Sequence, residues 1–183
     1  MKHLTKQELE QAVSKIKHDY NSEVMMILDE PEYYRYKLIR AFKGLWAEKY
    51  AYWSLSQHIP SKFIQTNLLH TTKNDRTVDI DLHIVFPWEI NIDVKSGFNY
   101  LKFWNKNLFD YFYIVQVNIP HQYTTEIHSY TVLNEDYDAL YDPKNIVFNP
   151  CGFYKFEDAY NDGFINKRKM IPIEEFVKIA WLA

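Results

Sequence analysis

A chain of 183 residues is long enough for one domain with a single core and short for two. With 47% hydrophobic and 25% charged residues the composition excludes intrinsic disorder, and a net charge of −3 disfavours a passive nucleic-acid-binding module, which is basic as a whole. No apolar run approaches the ~20 residues needed to cross a bilayer, the start MKHLTKQELEQAV has no apolar signal segment, and the single cysteine, Cys151, builds neither an internal disulfide nor a zinc framework; a cytoplasmic protein with no membrane partner is expected.

Taken along the chain, Thr5-Lys6-Gln7-Glu8 reads as a capping box, and Leu9, Val13 and Ile16 follow at helical spacing, predicting a helix over about 5–19. Pro31 suits the first position of a second helix, because its missing N–H has no helical partner to lose there. That helix is expected to reach about 58, with a buried stripe of Leu38, Ile39, Phe42, Leu45, Trp46, Tyr50 and Trp53 and a break near Gly44. The period then changes from 3.6 to 2. Val78 to Ile84 alternates apolar and polar residues, and the alternation resumes from Glu89 to Lys95, a hairpin with one apolar and one polar face. A short helix over about 99–109 is expected next, then strands near 111–119, 127–133, 145–148 and 152–156, and a last helix opened by Pro172 and running through Ile179. This order predicts a mixed α/β fold with one central sheet flanked by helices. The domain reading is a single unit over 1–183, with a helical extension at 1–30 and the core at 31–183.

The hairpin register decides what its polar face can do. If Phe86-Pro87-Trp88 is a three-residue loop, Val85 pairs with Glu89, His83 with Asn91, Asp81 with Asp93 and Asp79 with Lys95. A slip of one residue would send partners to opposite faces. The odd register is the one that keeps Ile80, Leu82, Ile84, Ile90, Ile92 and Val94 together on the core face. The apolar pattern alone therefore gathers Asp79, Asp81, Asp93 and Lys95. Opposed carboxylates destabilise a sheet unless compensated, and a divalent cation with hard oxygen ligands, Mg²⁺ or Mn²⁺, is the natural compensation. An acidic-x-Lys triplet by itself carries nothing: Asp142-Pro143-Lys144 is a second one, in a turn where its side chains are solvated.

The arrangement resembles the PD-(D/E)xK nuclease superfamily, the restriction-endonuclease-like fold, in which a Glu-bearing helix precedes a hairpin carrying Asp and then acidic-x-Lys. Gly44-Leu45-Trp46-Ala47-Glu48-Lys49-Tyr50 looks like the helix, Val78-Asp79-Ile80-Asp81-Leu82 like the first acidic strand, and Ile92-Asp93-Val94-Lys95-Ser96-Gly97 like the second. The likeness covers roughly residues 38–119. Ile80 stands where the family has Pro, and the triplet carries Asp where Glu is commoner, which leaves Asp79 as the alternative to Asp81 for first ligand. The Ile-Asp-Leu context and the position opposite Asp93 favour Asp81. The resemblance implies phosphodiester hydrolysis with Mg²⁺ or Mn²⁺, held by Asp81, Asp93, the Val94 backbone carbonyl and Glu48. In it Lys95 positions or helps deprotonate the attacking water and stabilises charge on the phosphate. It implies DNA as the expected nucleic-acid partner. The alternatives are RNA cleavage on the same fold, for which His18 and His70 are the available extra ligands, and an inactive nuclease-fold binding module; a homodimer is left open.

Other residues admit a bland reading beside the functional one. His83 shares the polar face and is either substrate contact or polar surface. Gln116, in the apolar run Tyr113 to Val117, is either site-adjacent or a satisfied core group. Lys102 and Lys106, the run Lys167-Arg168-Lys169, and Arg35, Lys37, Arg40 and Lys43 could each track a phosphate backbone or be solvated surface. Trp104 is either a stacking platform or core.

Overall fold

The structure, a computed structural model, describes residues 1–9, 31–71, 77–98, 108–124, 138–163 and 165–182. Most of the expected first helix, the helix at 99–109 and the strand at 127–133 lie outside these residues. Two compact units divide the chain: Met1–Trp46 with Val117–Phe148, and Ala47–Gln116 with Asn149–Ala183.

The first unit opens on the capping box: Glu8 N–H donates to Thr5 Oγ1 (3.2 Å) and Thr5 N–H to Glu8 Oε2 (2.7 Å). Residues 6–9 are helical, so both donors orphaned at a helix start are satisfied reciprocally. The unit's core holds Leu4, Leu9, Phe42, Trp46, Leu140 and Tyr141. The buried Trp46 indole donates Nε1–H to the Leu140 carbonyl (3.0 Å), which gives its one polar atom a partner.

Helix α1 spans Pro31–Ser56. Gly44, the expected break, lies inside a continuous helix, where even a Cβ would meet nothing within 4 Å. The buried stripe also differs from expectation. It follows Phe42, Trp46, Ala47, Ala51, Ser54 and Leu55, whereas Trp53 is exposed and tilts against Tyr50 at 5.6 Å. The helix ends when Ser56 Oγ and Gln57 Nε2 both donate to the Trp53 carbonyl (2.7 and 3.2 Å), and Pro60 then bars continuation.

Five strands form one mixed sheet in the order β1-β2-β3-β4-β5: β1 Ile64–Thr71, β2 Thr77–Ile84, β3 Ile90–Lys95, β4 Tyr111–Asn118 and β5 Val147–Lys155. β1 was not expected from sequence. It pairs antiparallel with β2, Ile64 opposite Ile84 and Leu68 opposite Ile80. β2 and β3 are antiparallel in the odd register, Ile84 opposite Ile90, His83 opposite Asn91 and Leu82 opposite Ile92. The ladder holds these three pairs and not the expected Val85–Glu89, Asp81–Asp93 and Asp79–Lys95 pairs, and Val85 N–H donates to the Phe63 carbonyl. β3 and β4 run parallel, Asp93 beside Phe112 and Lys95 beside Ile114. β5 is one strand where two were expected. Pro150 interrupts its pattern but is tolerated on an edge strand. Gly152 sits at φ +117° with the Ile171 carbonyl 2.6 Å from where a Cβ would stand, so only glycine fits the Phe153–Ile171 bridge.

Within the second unit one sheet face is sealed by Tyr113, Phe153 and Phe176, stacked at 4.0 and 3.7 Å between centroids. Tyr113 Oη lies 3.2 Å from Ser54 Oγ of α1. The opposite face of β4 is also covered, by Phe112 and Ile114 packed with Tyr154, Phe156 and Ala159.

Candidate active site

Alternation puts Ile80, Leu82, Ile84, Ile90, Ile92 and Val94 on one face of the hairpin, and all six are buried. Asp81, His83, Asn91, Asp93 and Lys95 take the other. A slip of one residue would move all six apolar side chains to the other face, so the apolar set fixes the polar set.

The β2–β3 ladder runs as far as Leu82 opposite Ile92. Asn91 exchanges its backbone groups with Asp110 on the β4 side: Asp110 N–H donates to the Asn91 carbonyl (2.9 Å) and Asn91 N–H to Asp110 Oδ2 (2.7 Å). Val94, three residues on, therefore turns its N–H and its carbonyl toward β2. That N–H meets the Asp81 side chain, Oδ2 at 2.7 Å. A carboxylate thus takes a backbone donor just beyond the end of the β2–β3 ladder.

Asp93 is 8% exposed, and Lys95 Nζ donates to its Oδ1 at 2.7 Å. Glu48 enters from α1. Ala51 and Leu55, three and seven residues on and fully buried, share its helix face, so Glu48 borders the packed side rather than the solvent side. Burial, then the charges of Glu48 and Asp93, hold the Asp81 carboxyl well above the usual carboxylate range, against Lys95 and the Val94 N–H. For Lys95 burial acts downward, but Asp93, Asp81 and Glu48 outweigh it and raise the ammonium's pKa. Four groups from one helix and two strands therefore share one field, three acidic and one basic.

That donor set suits a hard dication. Asp81 Oδ1 and Asp93 Oδ2 have no hydrogen-bond partner among the described residues, and a bound cation would relieve the repulsion from Glu48 and Asp93 that adds to burial in raising Asp81. Among the described residues no three His, Cys, Asp or Glu side chains already converge as a cage; in this structure each Asp turns one oxygen to a partner within the chain.

Of the other sequence candidates, His83 Nδ1 lies 2.6 Å from Asn91 Oδ1, a cross-strand pair next along the polar face. Asp79 stands in β2 opposite Leu69. Gln116 is half-buried on the β4 face of Phe112 and Ile114. Lys167, Arg168 and Lys169 form an exposed 3-10 turn in which Lys169 pairs with Asp162 (2.7 Å) and Lys167 lies over the Phe98 ring (4.4 Å), three residues beyond Lys95. Arg40 lies over Tyr36 at 5.6 Å, and His70 is in β1 opposite Val78. Lys102, Trp104, Lys106 and His18 lie outside the described residues. Sequence reasoning missed Asp110, which latches the start of β3 and whose carbonyl accepts from Phe156 N–H (2.9 Å); nothing in Phe109-Asp110-Tyr111 distinguishes it from a turn aspartate.

Compared with protein-family models, curated proteins and solved structures, the chain gives no match. No helix of the described residues is long and apolar enough to cross a membrane.

Proposed function

We propose that this chain is a Mg²⁺- or Mn²⁺-dependent nuclease of the restriction-endonuclease-like kind, with DNA as the expected substrate. The observation that carries the reading is the grouping of Glu48, Asp81, Asp93 and Lys95, with Val94 N–H on Asp81 Oδ2 and Lys95 Nζ on Asp93 Oδ1, in which burial, then Glu48 and Asp93, raise Asp81. Structural ion pairs neutralise each other, whereas this cluster keeps an excess of carboxylates at the parting of two strands.

Asp81, Asp93 and the Val94 carbonyl would hold the cation, with Glu48 supporting it. When bound, such a cation supplies Lewis acidity and a more acidic water. Without a cation the surroundings of Lys95 favour the ammonium, Asp93, Asp81 and Glu48 outweighing burial. Lys95 would position or help deprotonate the attacking water and stabilise charge on the phosphate. The Val94 N–H fixes the Asp81 carboxylate and Asp110 fixes the strand start, so the acidic groups keep their places without reorganising.

The competing reading, an inactive binding module, draws on the internal satisfaction of Asp93 by Lys95 and of Asp81 by Val94. Calorimetric titration with Mn²⁺ separates the two. A nuclease binds the ion at a stoichiometric site that Asp93→Ala removes; equal heats for both proteins would leave the inactive module standing.

A further inference from the structure

The loop between β2 and β3 carries an aromatic surface that the proposed chemistry does not use. Phe86 is 52% and Trp88 59% exposed. Phe86 stacks on Phe63 at 5.1 Å, and both meet Trp181, at 5.8 and 5.2 Å. Lys62 Nζ stands 4.8 Å over the Phe63 ring, and exposed Lys178 opens the short segment that carries Trp181. Trp88 makes no ring contact among the described residues. Phe63 and Trp181 are half-buried, whereas Phe86 and Trp88 stand largely in water, with Lys62 over the neighbouring Phe63 ring.

We infer that this hairpin tip is a base-stacking site for single-stranded nucleic acid. The pairing of rings with lysine is what such strands require: flat faces for bases and cations for the phosphates between them. Position supports it. His83 and Asn91 lie on the polar face between the tip and Asp81 and Asp93, and Trp88 precedes Asp93 by five positions, at most about 17 Å at the rise of a strand. At the other end of β3, Lys167 lies over Phe98. A strand stacked on the tip could thus run along the hairpin's polar face, past the acidic cluster, to a basic turn. Duplex bases are already stacked on each other and offer no free faces, so the tip selects unpaired strands. This deepens the nuclease reading and rests on it for the direction of the track, while the stacking itself stands on the rings.

The test is binding of fluorescein-labelled dT12, rU12 and a DNA duplex of equal length to the full chain without divalent metal, read by anisotropy, with cleavage in Mn²⁺ measured separately. Wild type should bind single strands more tightly than duplex. Trp88→Ala should weaken that binding about tenfold or more, and Trp88→Phe should restore most of it. The dT12 and rU12 arms tell DNA from RNA. Trp88→Ala is the informative variant because Trp88 is 59% exposed and its ring meets no other ring among the described residues. Stacking without cleavage would sink the nuclease reading and keep the tip; cleavage with identical binding by wild type and Trp88→Ala would do the reverse. Tighter duplex binding overturns the inference. So does a wild-type dimer in sedimentation that Trp88→Ala makes monomeric, since the rings would then serve a protein interface.

Discussion

Asp81 receives through its side chain the backbone hydrogen bond that Val94 turns toward β2, with Val94 N and Asp81 Oδ2 2.7 Å apart. This contact satisfies a donor at the parting of two strands and fixes a carboxylate beside Asp93 and Glu48. Fold and candidate chemistry meet in it: removing the carboxylate both frees a charge-crowded site and orphans an N–H.

That crowding has a pH signature. The Asp81 carboxyl is raised by burial, then by Glu48 and Asp93, so the folded state keeps a proton that the unfolded chain releases near its ordinary value of 3.8. The associated stability is complete below that value and lost as pH rises through the raised one. Asp81→Asn keeps an acceptor for Val94 without the charge. In metal-free urea unfolding from about pH 4 to pH 8, wild type should lose stability with rising pH more steeply than Asp81→Asn, and the variant should be at least as stable at the upper end. Parallel curves would mean that Asp81 titrates normally.

The register predicts a face-dependent cost. Ile92 is fully buried, so Ile92→Ala should destabilise by about 2–5 kcal/mol. Its neighbour Asn91 loses only the His83 bond on truncation, and Asn91→Ala should cost about 1 kcal/mol. Denaturant midpoints of both variants measure the difference; equal costs would contradict the alternation.

Tyr113 supplies an alkaline counterpart. Burial first, moderated by the Ser54 hydroxyl, pushes its phenol up to about 12 from 10.0. The native state holds that proton while the unfolded chain loses it, so stability should fall between those values as pH rises. Tyr113→Phe should remove that slope and cost about 1 kcal/mol at neutral pH, because Ser54 Oγ still donates to the Ala51 carbonyl at 3.0 Å. Unfolding curves on both sides of pH 10.0 check it.

Local chemistry made some elements legible before any coordinates. The Thr5–Glu8 box, Pro31 at the head of α1, and the alternation of Ile80, Leu82, Ile84 with Ile90, Ile92, Val94 each name their structure because a single physical rule dominates. β1 escaped notice because Gln65, Thr66, Asn67, His70 and Thr71 interrupt any apolar alternation. The sequence of β5 splits into two pieces because Asn149-Pro150-Cys151-Gly152 looks like a breaker, and only its place at the sheet edge makes Pro150 acceptable. For the candidate site, the alternation assigns Asp81, Asp93 and Lys95 to the polar face, although the expected Asp81–Asp93 ladder pair is not formed. The diversion of Val94 N–H and the latch at Asp110 were not legible, since each depends on two segments meeting in space.

The most direct measurement is cleavage by the purified chain with Mn²⁺ of labelled double-stranded, single-stranded and branched DNA and of RNA, with Lys95→Ala and Asp93→Ala compared under identical conditions. Wild type should cut at least one of these substrates, chelation should stop it, and each variant should be slower by about a hundredfold or more while unfolding as cooperatively as wild type. Cleavage of the same rate in all three proteins, or none by wild type on any substrate, would contradict the account.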